Sequence, residues 1–576
     1  MAEKFEKHAR TFSALTFVSR ITGLVRDAAL ASVFGISPYT DAFNFAFQLP
    51  NLFRRLFGEG AISAAFVPRY TELDRDDPER ARRYAGLLIG LLAIFLWAVV
   101  LVGEVVILAL WANAPEVQYT LGPATTVGGV AIPTLSVRYT RLAYELAAIM
   151  LPYMPLVCLV AVGGSALQTH GRFGPTAGSP ILLNLLMIGA MLGLYPLVVA
   201  GSLDPAAHLR ILAFAVLLAG VLQVLWTLAI LRRYRPVFAF RDAAARASVR
   251  ATLLGLGPMM LGLGVLQINI VVDGLIASWP SIFGPTILGL DYPLEEGALT
   301  ALTNAARLYE FPLGVFGISI ATAIFPQLSR QNNEPDAFFA TVRRGLRLTM
   351  FIGLPASLGL MLVGREAVGV LFQRGAFDAN DTARVAFVLL GFAPAIWAYQ
   401  SIHILTRAFY ALKKPMKPVR IAVAMVVLNL CLNIALIFTP LREAGLAWST
   451  SVCAVIQAAV LARALAREGR ALGVHAPAGD GRDAGTAPRT RVLLTPDVVA
   501  GIGRSLAAVA AMGAAVAGVG LVVPTGARPA EMAVALVAKV VVGAGAYLLV
   551  AALLRMDELD WAAGRRLPFL RRAGRG

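Results

Sequence analysis

The sequence is short of charge, cysteine and histidine, and each shortage narrows the possible classes of protein. Charged residues make up 15% of the 576 residues, against about 25% in a typical soluble domain. The three cysteines, Cys158, Cys431 and Cys453, all lie inside apolar runs. Neither their spacing nor that of the five histidines matches a metal site. We therefore predict that the cysteines are small core residues and that the chain holds no metal centre.

Two short motifs are also missing. No GxxxxGK[ST] phosphate loop occurs in the chain, so ATP hydrolysis is not expected. The first residues, MAEKFEKHAR, do not lead into a short apolar core with a small-residue cleavage site. No removable signal peptide is therefore predicted.

Long apolar runs dominate what is present. Hydrophobic residues make up 58% of the chain, and the mean hydropathy is +0.71. Runs of about 20 residues, each long enough to cross the hydrocarbon core of a bilayer, recur along the sequence. We predict an all-α integral membrane protein with about fourteen transmembrane helices. The predicted spans are residues 11–34, 40–67, 84–112, 141–169, 178–200, 208–231, 251–278, 298–326, 345–363, 384–411, 418–438, 444–466, 500–523 and 531–554.

Basic residues indicate the orientation. Most of the 51 Lys and Arg residues fall in alternate connections, for example at 69–83 after span two and 232–250 after span six. The connection between spans seven and eight has acids but no Lys or Arg. Because basic loops stay on the cytoplasmic side, this asymmetry predicts that both termini are cytoplasmic. It also explains the formal charge of +17 without nucleic acid.

A weak internal likeness suggests the domain organisation. AAFVPRY at 64–70 is similar to TAIFPQLSR at 322–330, as two six-helix halves followed by two further helices would produce. Chance likeness between apolar sequences is the alternative. The predicted divisions are an N-lobe at 1–235, a C-lobe at 236–467, a flexible cytoplasmic linker at 468–498, and two last helices with a basic tail at 499–576.

Two other segments differ from the apolar spans. Residues 364–383 mix apolar and charged side chains, and we predict an amphipathic helix on the outer membrane interface. The long connection at 113–139 has no role that the sequence indicates.

Ionisable residues inside the spans are the most informative feature. An arginine at the centre of a membrane helix costs about 2.5–3.5 kcal/mol on insertion scales, so it is seldom present without a function. Spans one, two and eight share this feature. Their ionisable residues are Arg20, Arg26, Asp27, Asp41, Arg54, Arg55, Glu59, Arg307 and Glu310.

Helical spacing groups these side chains into polar stripes. Asn51, Arg55 and Glu59 recur every four residues, and Arg307 precedes Glu310 by three. Five arginines against four acids leave a surplus of positive charge, and a diphosphate would balance it. Internal salt bridges that only hold helices together are the alternative. Breaks are predicted beside the stripes, at Pro50, Gly58, Gly60, Pro312, Gly314 and Gly317.

A second polar set is a candidate for coupling to an ion. It combines Asp273 in span seven with Asn429 and Asn433, one turn apart in span eleven, and with the hydroxyls of residues 449–451 in span twelve. Carboxylate, amide and hydroxyl oxygens could hold Na⁺ or a proton. Polar side chains that only join helices are the alternative. No cofactor is predicted, and Na⁺ or H⁺ is kept as a candidate coupling ion.

A long motif lies between Ser19 and Pro68, SRITGLVRDAALASVFGISPYTDAFNFAFQLPNLFRRLFGEGAISAAFVP. It closely resembles the MurJ/MviN family, the lipid II flippases of peptidoglycan synthesis. The family pattern is SR-x-x-G-x-x-RD, TDAF, LPN-L-x-RR-x-F-x-EGA and FVP. A second match is ARLYEFPLGVFGISIATAIFPQLS at 306–329, and the resemblance extends over nearly the whole chain.

The resemblance implies a fold and a substrate. The family belongs to the multidrug/oligosaccharidyl-lipid/polysaccharide transporter superfamily, with two six-helix lobes around a cationic cavity and a final helix pair that receives a polyprenyl tail. The implied cargo is lipid II, an undecaprenyl diphosphate bearing a disaccharide-pentapeptide, which alternating access moves from the inner to the outer leaflet. The implied substrate-binding residues are Arg20, Arg26, Asp41, Arg54, Arg55, Glu59 and Arg307.

One departure from the family pattern concerns span eight. Many members have an acid immediately before the span-eight arginine, whereas this chain has Ala306 before Arg307. The departure argues against a local ion pair at Arg307.

The same residues bear on four alternative functions. A flippase for another polyprenyl-diphosphate glycan has the same charge requirement. A drug or cation antiporter of the same superfamily would favour acids over arginines in its cavity. A membrane enzyme would place acids or histidines near one interface, and no such catalytic cluster is evident. A scaffold for cell-wall synthesis proteins would not explain the buried charge.

Overall fold

A computed structural model of the chain consists almost entirely of helices. It describes residues 2–55, 62–114, 118–127, 130–474, 492–523, 526 and 528–563. The description covers the backbone alone for residues 2–13, 62–64, 118–127, 130–138, 256–263, 265, 266, 315, 318, 562 and 563.

The first compact unit comprises Met1–Thr300 and Arg374–Asp378. Its helices are α1 (Ala2–Phe34), α2 (Pro38–Phe53), α3 (Ile62–Asp76), α4 (Pro78–Asn113), α5 (Thr140–Met150), α6 (Tyr153–Thr169), α7 (Gly174–Val199), α8 (Pro205–Leu231) and α9 (Ala243–Ile282). Two antiparallel hairpins join them, β1 (Gln118–Val127) with β2 (Val130–Arg138) and β3 (Thr286–Ile287) with β4 (Leu290–Asp291). A continuous apolar core holds the unit together, with the Phe66 ring stacked on Tyr84 at 5.5 Å.

The second compact unit comprises Ala301–Gln373 and Ala379–Gly576. It contains most of α10 (Ala298–Pro312), then α11 (Ile318–Arg330), α12 (Pro335–Phe372), α13 (Ala379–Phe392), α14 (Ile396–Ala411), α15 (Met416–Ile437), α16 (Ala444–Ala471), α17 (Pro496–Val522), α18 (Pro529–Leu553) and α19 (Asp557–Ala563). One apolar cluster includes Phe338 and Phe409, and another includes Phe351 and Tyr547. The two compact units meet in the sequence at Thr300 and Ala301, not at the predicted boundary between 235 and 236. The predicted lobes at 1–235 and 236–467 remain a prediction.

Local sequence explains where several helices begin. Proline occupies the first position of α4 and of α8, where no hydrogen bond of its nitrogen is lost. The preceding acids cap both helices: Asp77 accepts from the Arg80 nitrogen at 3.1 Å, and Asp204 accepts from the Ala206 nitrogen at 3.0 Å. These polar caps end the connections and fix where each apolar run starts.

The helices agree with a membrane protein. Within the described residues, ten helices or helix pairs are long and apolar enough to cross a bilayer. The other four predicted spans coincide with α1, with α2 and α3, with α9, and with α10 and α11. Three of those four carry the intramembrane charges, which lower their hydropathy. The observed fold is therefore the predicted all-α membrane fold, and the predicted fourteen spans are consistent with it.

Breaks occur beside the charged residues, as the prolines and glycines predicted. α10 ends at Pro312 and passes into a π-helical stretch, Leu313–Gly317, before α11. In span two, Pro50 lies inside α2, and Arg54 and Arg55 lie in π-helical backbone. The predicted breaks at Gly58 and Gly60 lie outside the described residues. A π turn widens the helix, so the stripe predicted for a continuous α-helix from Asn51 ends at this break.

Two smaller predictions were wrong, and one element was not predicted. Residues 364–372 are not a separate interfacial helix, because α12 continues through them to Phe372. The connection at 113–139, for which the sequence indicated no role, contains the β1–β2 hairpin in its backbone. Cys431 is exposed on α15, whereas Cys158 and Cys453 are buried as expected. Part of the predicted linker, 475–491, lies outside the described residues, and α16 extends to Ala471.

Candidate functional site

The Arg26 guanidinium is held in a fixed position inside unit one. Its Nε and Nη2 atoms donate to Asp27 Oδ1 at 3.0 and 2.6 Å. Its Nη1 atom donates to Asn184 Oδ1 at 3.0 Å. The side chains of Arg26 and Asp27 are each 13% exposed. A nearly buried charge with defined partners is pre-organised to bind a further anion.

Asn184 links α7 to α1 and was not predicted as a site residue. Its Nδ2 atom donates to Thr22 Oγ1 at 3.0 Å and to the Ser19 carbonyl at 3.3 Å. These bonds fix the amide so that its oxygen faces Arg26. An amide inside an otherwise apolar span was the one signal in the sequence that could have identified it. We refer to Arg26, Asp27 and Asn184 as the Arg26 cluster.

The other arginines of unit one differ in their surroundings. Arg20 is exposed on α1. Arg54 and Arg55 are half-buried at the end of α2, and Arg54 Nε donates to Asn51 Oδ1 at 3.0 Å. Glu59 lies outside the described residues. The substrate contacts predicted for these four residues remain predictions.

Asp41, which the resemblance implies as a substrate-binding residue, is held by four hydrogen bonds within unit one. It is fully buried. Its Oδ2 atom accepts from Ser281 Oγ at 2.6 Å and from the Gly297 nitrogen at 2.8 Å. Its Oδ1 atom accepts from the Thr300 nitrogen at 2.9 Å and from Thr300 Oγ1 at 2.7 Å.

These four hydrogen bonds use the four lone-pair directions of a carboxylate. They join α2 to the end of α9 and to the first turn of α10, where unpaired backbone nitrogens and the helix dipole favour a negative charge. The geometry therefore favours a positioning role for Asp41 over direct contact with a substrate. Asn44, one turn further along α2, supports the same joint by donating to Thr300 Oγ1 at 3.1 Å.

Arg307 and Glu310 form a loose ion pair in unit two. The Arg307 Nη1 and Glu310 Oε2 atoms are 3.8 Å apart, and the side chains are 31% and 40% exposed. The argument against a local ion pair at Arg307 was therefore wrong: Ala306 leaves the preceding position without an acid, but Glu310 on the next turn supplies the nearby negative charge. A partly exposed pair with such long separation retains attraction for another anion.

The second polar set is divided between the two units. In unit two, Asn433 Nδ2 donates to Asn429 Oδ1 at 3.0 Å, and Asn429 Nδ2 donates to Ser449 Oγ at 3.2 Å. Ser449 Oγ donates in turn to Asn433 Oδ1, which closes a ring of three buried side chains. This ring joins α15 to α16, so it supports the alternative that these residues hold helices together.

Asp273 belongs to unit one, where it accepts from Asn269 Nδ2 at 3.2 Å. No group of three His, Cys, Asp or Glu side chains in the described part of the chain could hold a metal ion. An ion site built from Asp273, Asn429 and Asn433 remains a prediction.

A family model described as lipid II flippase MurJ matches residues 30–479. The chain belongs to the MurJ family. The match includes Asp41, Arg54 and Arg307, and it ends before α17. The MurJ family consists of transporters, so the membrane-enzyme alternative is excluded.

Curated MurJ relatives are similar in sequence to this chain over most of their length. A probable lipid II flippase MurJ of Vibrio cholerae is 32% identical over 480 residues, which cover 81% of this chain and 84% of the relative. The lipid II flippase MurJ of Burkholderia cenocepacia is 31% identical over 470 residues, covering 80% and 83%.

Solved structures share the fold. A lipid II flippase MurJ in an inward closed conformation superimposes with a TM-score of 0.68 at 21% identity, over 95% of this chain and 99% of that one. Because 95% of this chain is aligned, the alignment includes at least part of α17 or α18, which have 27 and 25 residues. An inward-facing multidrug MATE transporter superimposes with a TM-score of 0.58 at 14% identity, over 78% of this chain and 95% of the other.

Proposed function

We propose that this MurJ-family chain is a lipid II flippase, which moves the undecaprenyl-diphosphate-linked peptidoglycan precursor from the inner to the outer leaflet by alternating access. The family match over residues 30–479 is the observation that carries this proposal. The chain is a transporter of a membrane-embedded lipid rather than an enzyme.

The Arg26 cluster supports an anionic cargo. An arginine has five N–H donors, and the three hydrogen bonds to Asp27 and Asn184 leave two of them for phosphate oxygens. A guanidinium presents these donors as a planar fork, which matches the oxygens of a diphosphate.

The same charge balance argues against a drug or cation antiporter. The fold is shared with MATE transporters, but arginines at membrane depth repel a cationic cargo. A different polyprenyl-diphosphate glycan would satisfy the arginines equally well, so the glycan must be identified by experiment.

Localisation, coupling and partners complete the proposal. The basic connections support a cytoplasmic membrane location with both termini inside. We propose that Asp273, Asn429 and Asn433 take part in coupling to Na⁺ or H⁺, and that cell-wall synthesis proteins bind the chain as partners. A coupled transporter would lose flipping when the ion gradient is removed while its binding of lipid II persists.

The proposed function can be tested in cells depleted of their own flippase and supplied with this chain. An enzyme added outside the cells cleaves only lipid II that has reached the outer leaflet. We expect wild-type protein to restore cleavage and Arg26→Ala, Arg54→Ala and Arg307→Ala to abolish it at equal membrane abundance. The matched control is Arg75→Ala, because Arg75 is 81% exposed on α3. Well-expressed wild-type protein that leaves lipid II inside would contradict the proposal.

A further inference from the structure

The connection between α8 and α9 forms a basic surface that the transport site does not use. We call residues 232–254 the basic segment. It contains several arginines, all of them exposed: Arg232, Arg233, Arg235, Arg241, Arg246 and Arg250. Its single acid is Asp242, so the segment has a strong excess of positive charge.

Asp242 is committed to neighbouring groups and does not neutralise the arginines of the segment. Its Oδ1 atom accepts from the Ala245 and Ala244 nitrogens at 3.0 and 2.8 Å, which caps α9. Its Oδ2 atom accepts from Arg83 of α4 at 3.2 Å. The Ala245 nitrogen first, and then Arg83, lower the pKa of this carboxyl.

The basic segment is fixed against α4. The Val237 nitrogen donates to the Arg82 carbonyl at 3.1 Å. Two glycines of α4 provide the room: a Cβ atom at Gly86 would lie 2.3 Å from the Val237 oxygen, and one at Gly90 would lie 2.3 Å from the Phe238 ring. This close packing fixes the position of the loop along the axis of α4.

Two open grooves lie on this surface, and each combines a pair of arginines with leucines. The first, of about 560 Å³, is lined by Leu225, Leu228, Ala229, Leu231, Arg232, Arg235 and Pro236. The second, of about 340 Å³, is lined by Leu91, Phe240, Arg246, Val249, Arg250, Leu253 and Leu254.

Exposed apolar side chains flank the arginines. Val237, Phe238 and Phe240 are 49–55% exposed, and the Phe238 and Phe240 rings stack at 6.5 Å. On α9, Leu254 is 70% exposed one turn after Arg250. The arginines therefore lie where a lipid-facing apolar surface meets a polar one, which is the level of the phosphate groups in a bilayer.

We propose that the basic segment is a binding site for anionic phospholipids of the cytoplasmic leaflet. Each groove takes one headgroup, whose phosphate accepts hydrogen bonds from the arginine pair while an acyl chain lies along the leucines. The stacked phenylalanines enter the acyl region and hold unit one at a fixed depth. The leaflet rests on the orientation given under the proposed function, whereas the headgroup chemistry does not.

The test uses purified full-length protein in detergent, titrated with phosphatidylglycerol or phosphatidylcholine. Native mass spectrometry counts the lipids bound to each protein. We expect the wild type to bind phosphatidylglycerol in preference, and Arg246→Ala/Arg250→Ala to weaken that binding about tenfold or more. Arg246→Lys/Arg250→Lys should restore part of it, because lysine keeps the charge but not the planar fork.

A control separates this site from the overall charge of the protein. Arg75→Ala/Arg330→Ala removes the same two charges from exposed positions in α3 and α11 and should bind phosphatidylglycerol like the wild type. Equal weakening in both double variants, equal binding of phosphatidylcholine, or full competition by inorganic phosphate would overturn the proposal. Since no transport is measured, the outcome is independent of whether lipid II is the cargo.

Discussion

At the residue scale, the Arg26 cluster shows what a sequence pattern can and cannot locate. The motif around Arg26 and Asp27 marked a charged site on α1, and the structure places both side chains at low exposure. Asn184 lies 158 positions away from Arg26 and could not be connected with it by helical spacing. Hydrogen bonds between distant residues depend on how the helices pack, and helix packing cannot be predicted from local periodicity.

Asn184→Ala should impair transport because it removes a hydrogen bond that holds Arg26 in position. A hydrogen bond to a charged group contributes about 1.5–3 kcal/mol, so we expect its loss to weaken binding of lipid II about ten- to a hundredfold. Binding to purified protein is the measurement. In an Arg26→Ala background the same substitution should have little further effect.

The matched control for this prediction is Gln223→Ala. Gln223 is a buried amide that joins α8 to α7 by donating to the Ser179 carbonyl at 2.7 Å. Its loss should lower thermal stability but leave affinity for lipid II unchanged. Equal losses of affinity in both variants would show that Asn184 acts only through packing.

Asp41→Asn should destabilise unit one. The new amide group would face donors at Ser281, Gly297 and Thr300 with a donor of its own, and about 2–3 kcal/mol of stability should be lost. Thermal unfolding of the purified protein measures this, with the more exposed Asp74→Asn as control. If stability is unchanged and lipid II binding is lost, the result would instead support the direct substrate contact predicted for Asp41.

At the element scale, the breaks beside the arginines were predictable, and their geometry was not. Pro312, Gly314 and Gly317 predicted an interruption of span eight, and a π-helical stretch lies there. The type of helix that replaces the α-helix depends on packing against neighbouring residues. Gln400 of α14 is one of them, since its Cγ atom would lie 2.8 Å from a Cβ atom at Gly317. Proline and glycine mark where a helix can change but not what it becomes.

Gly353→Ala should strain the packing of α12 against α14. Its Cβ atom would lie 2.7 Å from the Trp397 Cα atom, and backbone cannot move aside easily. We expect a loss of about 1–3 kcal/mol, seen as a lower melting temperature. Gly359→Ala on the same helix meets only Met512 at 3.9 Å and should be neutral or slightly stabilising. Equal melting temperatures for the two variants would contradict this account of α12.

A buried ion pair attaches α18 to α12. Lys539 Nζ contacts Glu366 Oε1, and the side chains are 10% and 4% exposed. Lys539→Leu leaves a carboxylate buried without this partner and should cost about 3–5 kcal/mol, measured by unfolding. The double variant Lys539→Leu/Glu366→Leu should recover most of that stability. A double variant no more stable than the single one would show that the pair does not determine the attachment.

At the scale of the whole molecule, the sequence predicted the class of fold well because membrane helices are long and strongly apolar. The spans, their alternating basic connections and the family resemblance agree with the observed helices. The β1–β2 hairpin and the extension of α12 to Phe372 were missed, since neither has a strong local signal. The substrate contact of Asp41 remains a prediction, because a motif identifies a residue without giving its role.

We propose that arginines at membrane depth bind the diphosphate of lipid II during its transfer between leaflets. The most direct test reconstitutes the purified chain in liposomes with fluorescent lipid II and follows how fast an external quencher reaches the label. We predict transfer by the wild type and by Arg75→Ala, no transfer by Arg26→Ala, and poor transfer of the same glycan on a polyprenyl monophosphate. Equal transfer by wild type and Arg26→Ala, or of both cargoes, would contradict the account.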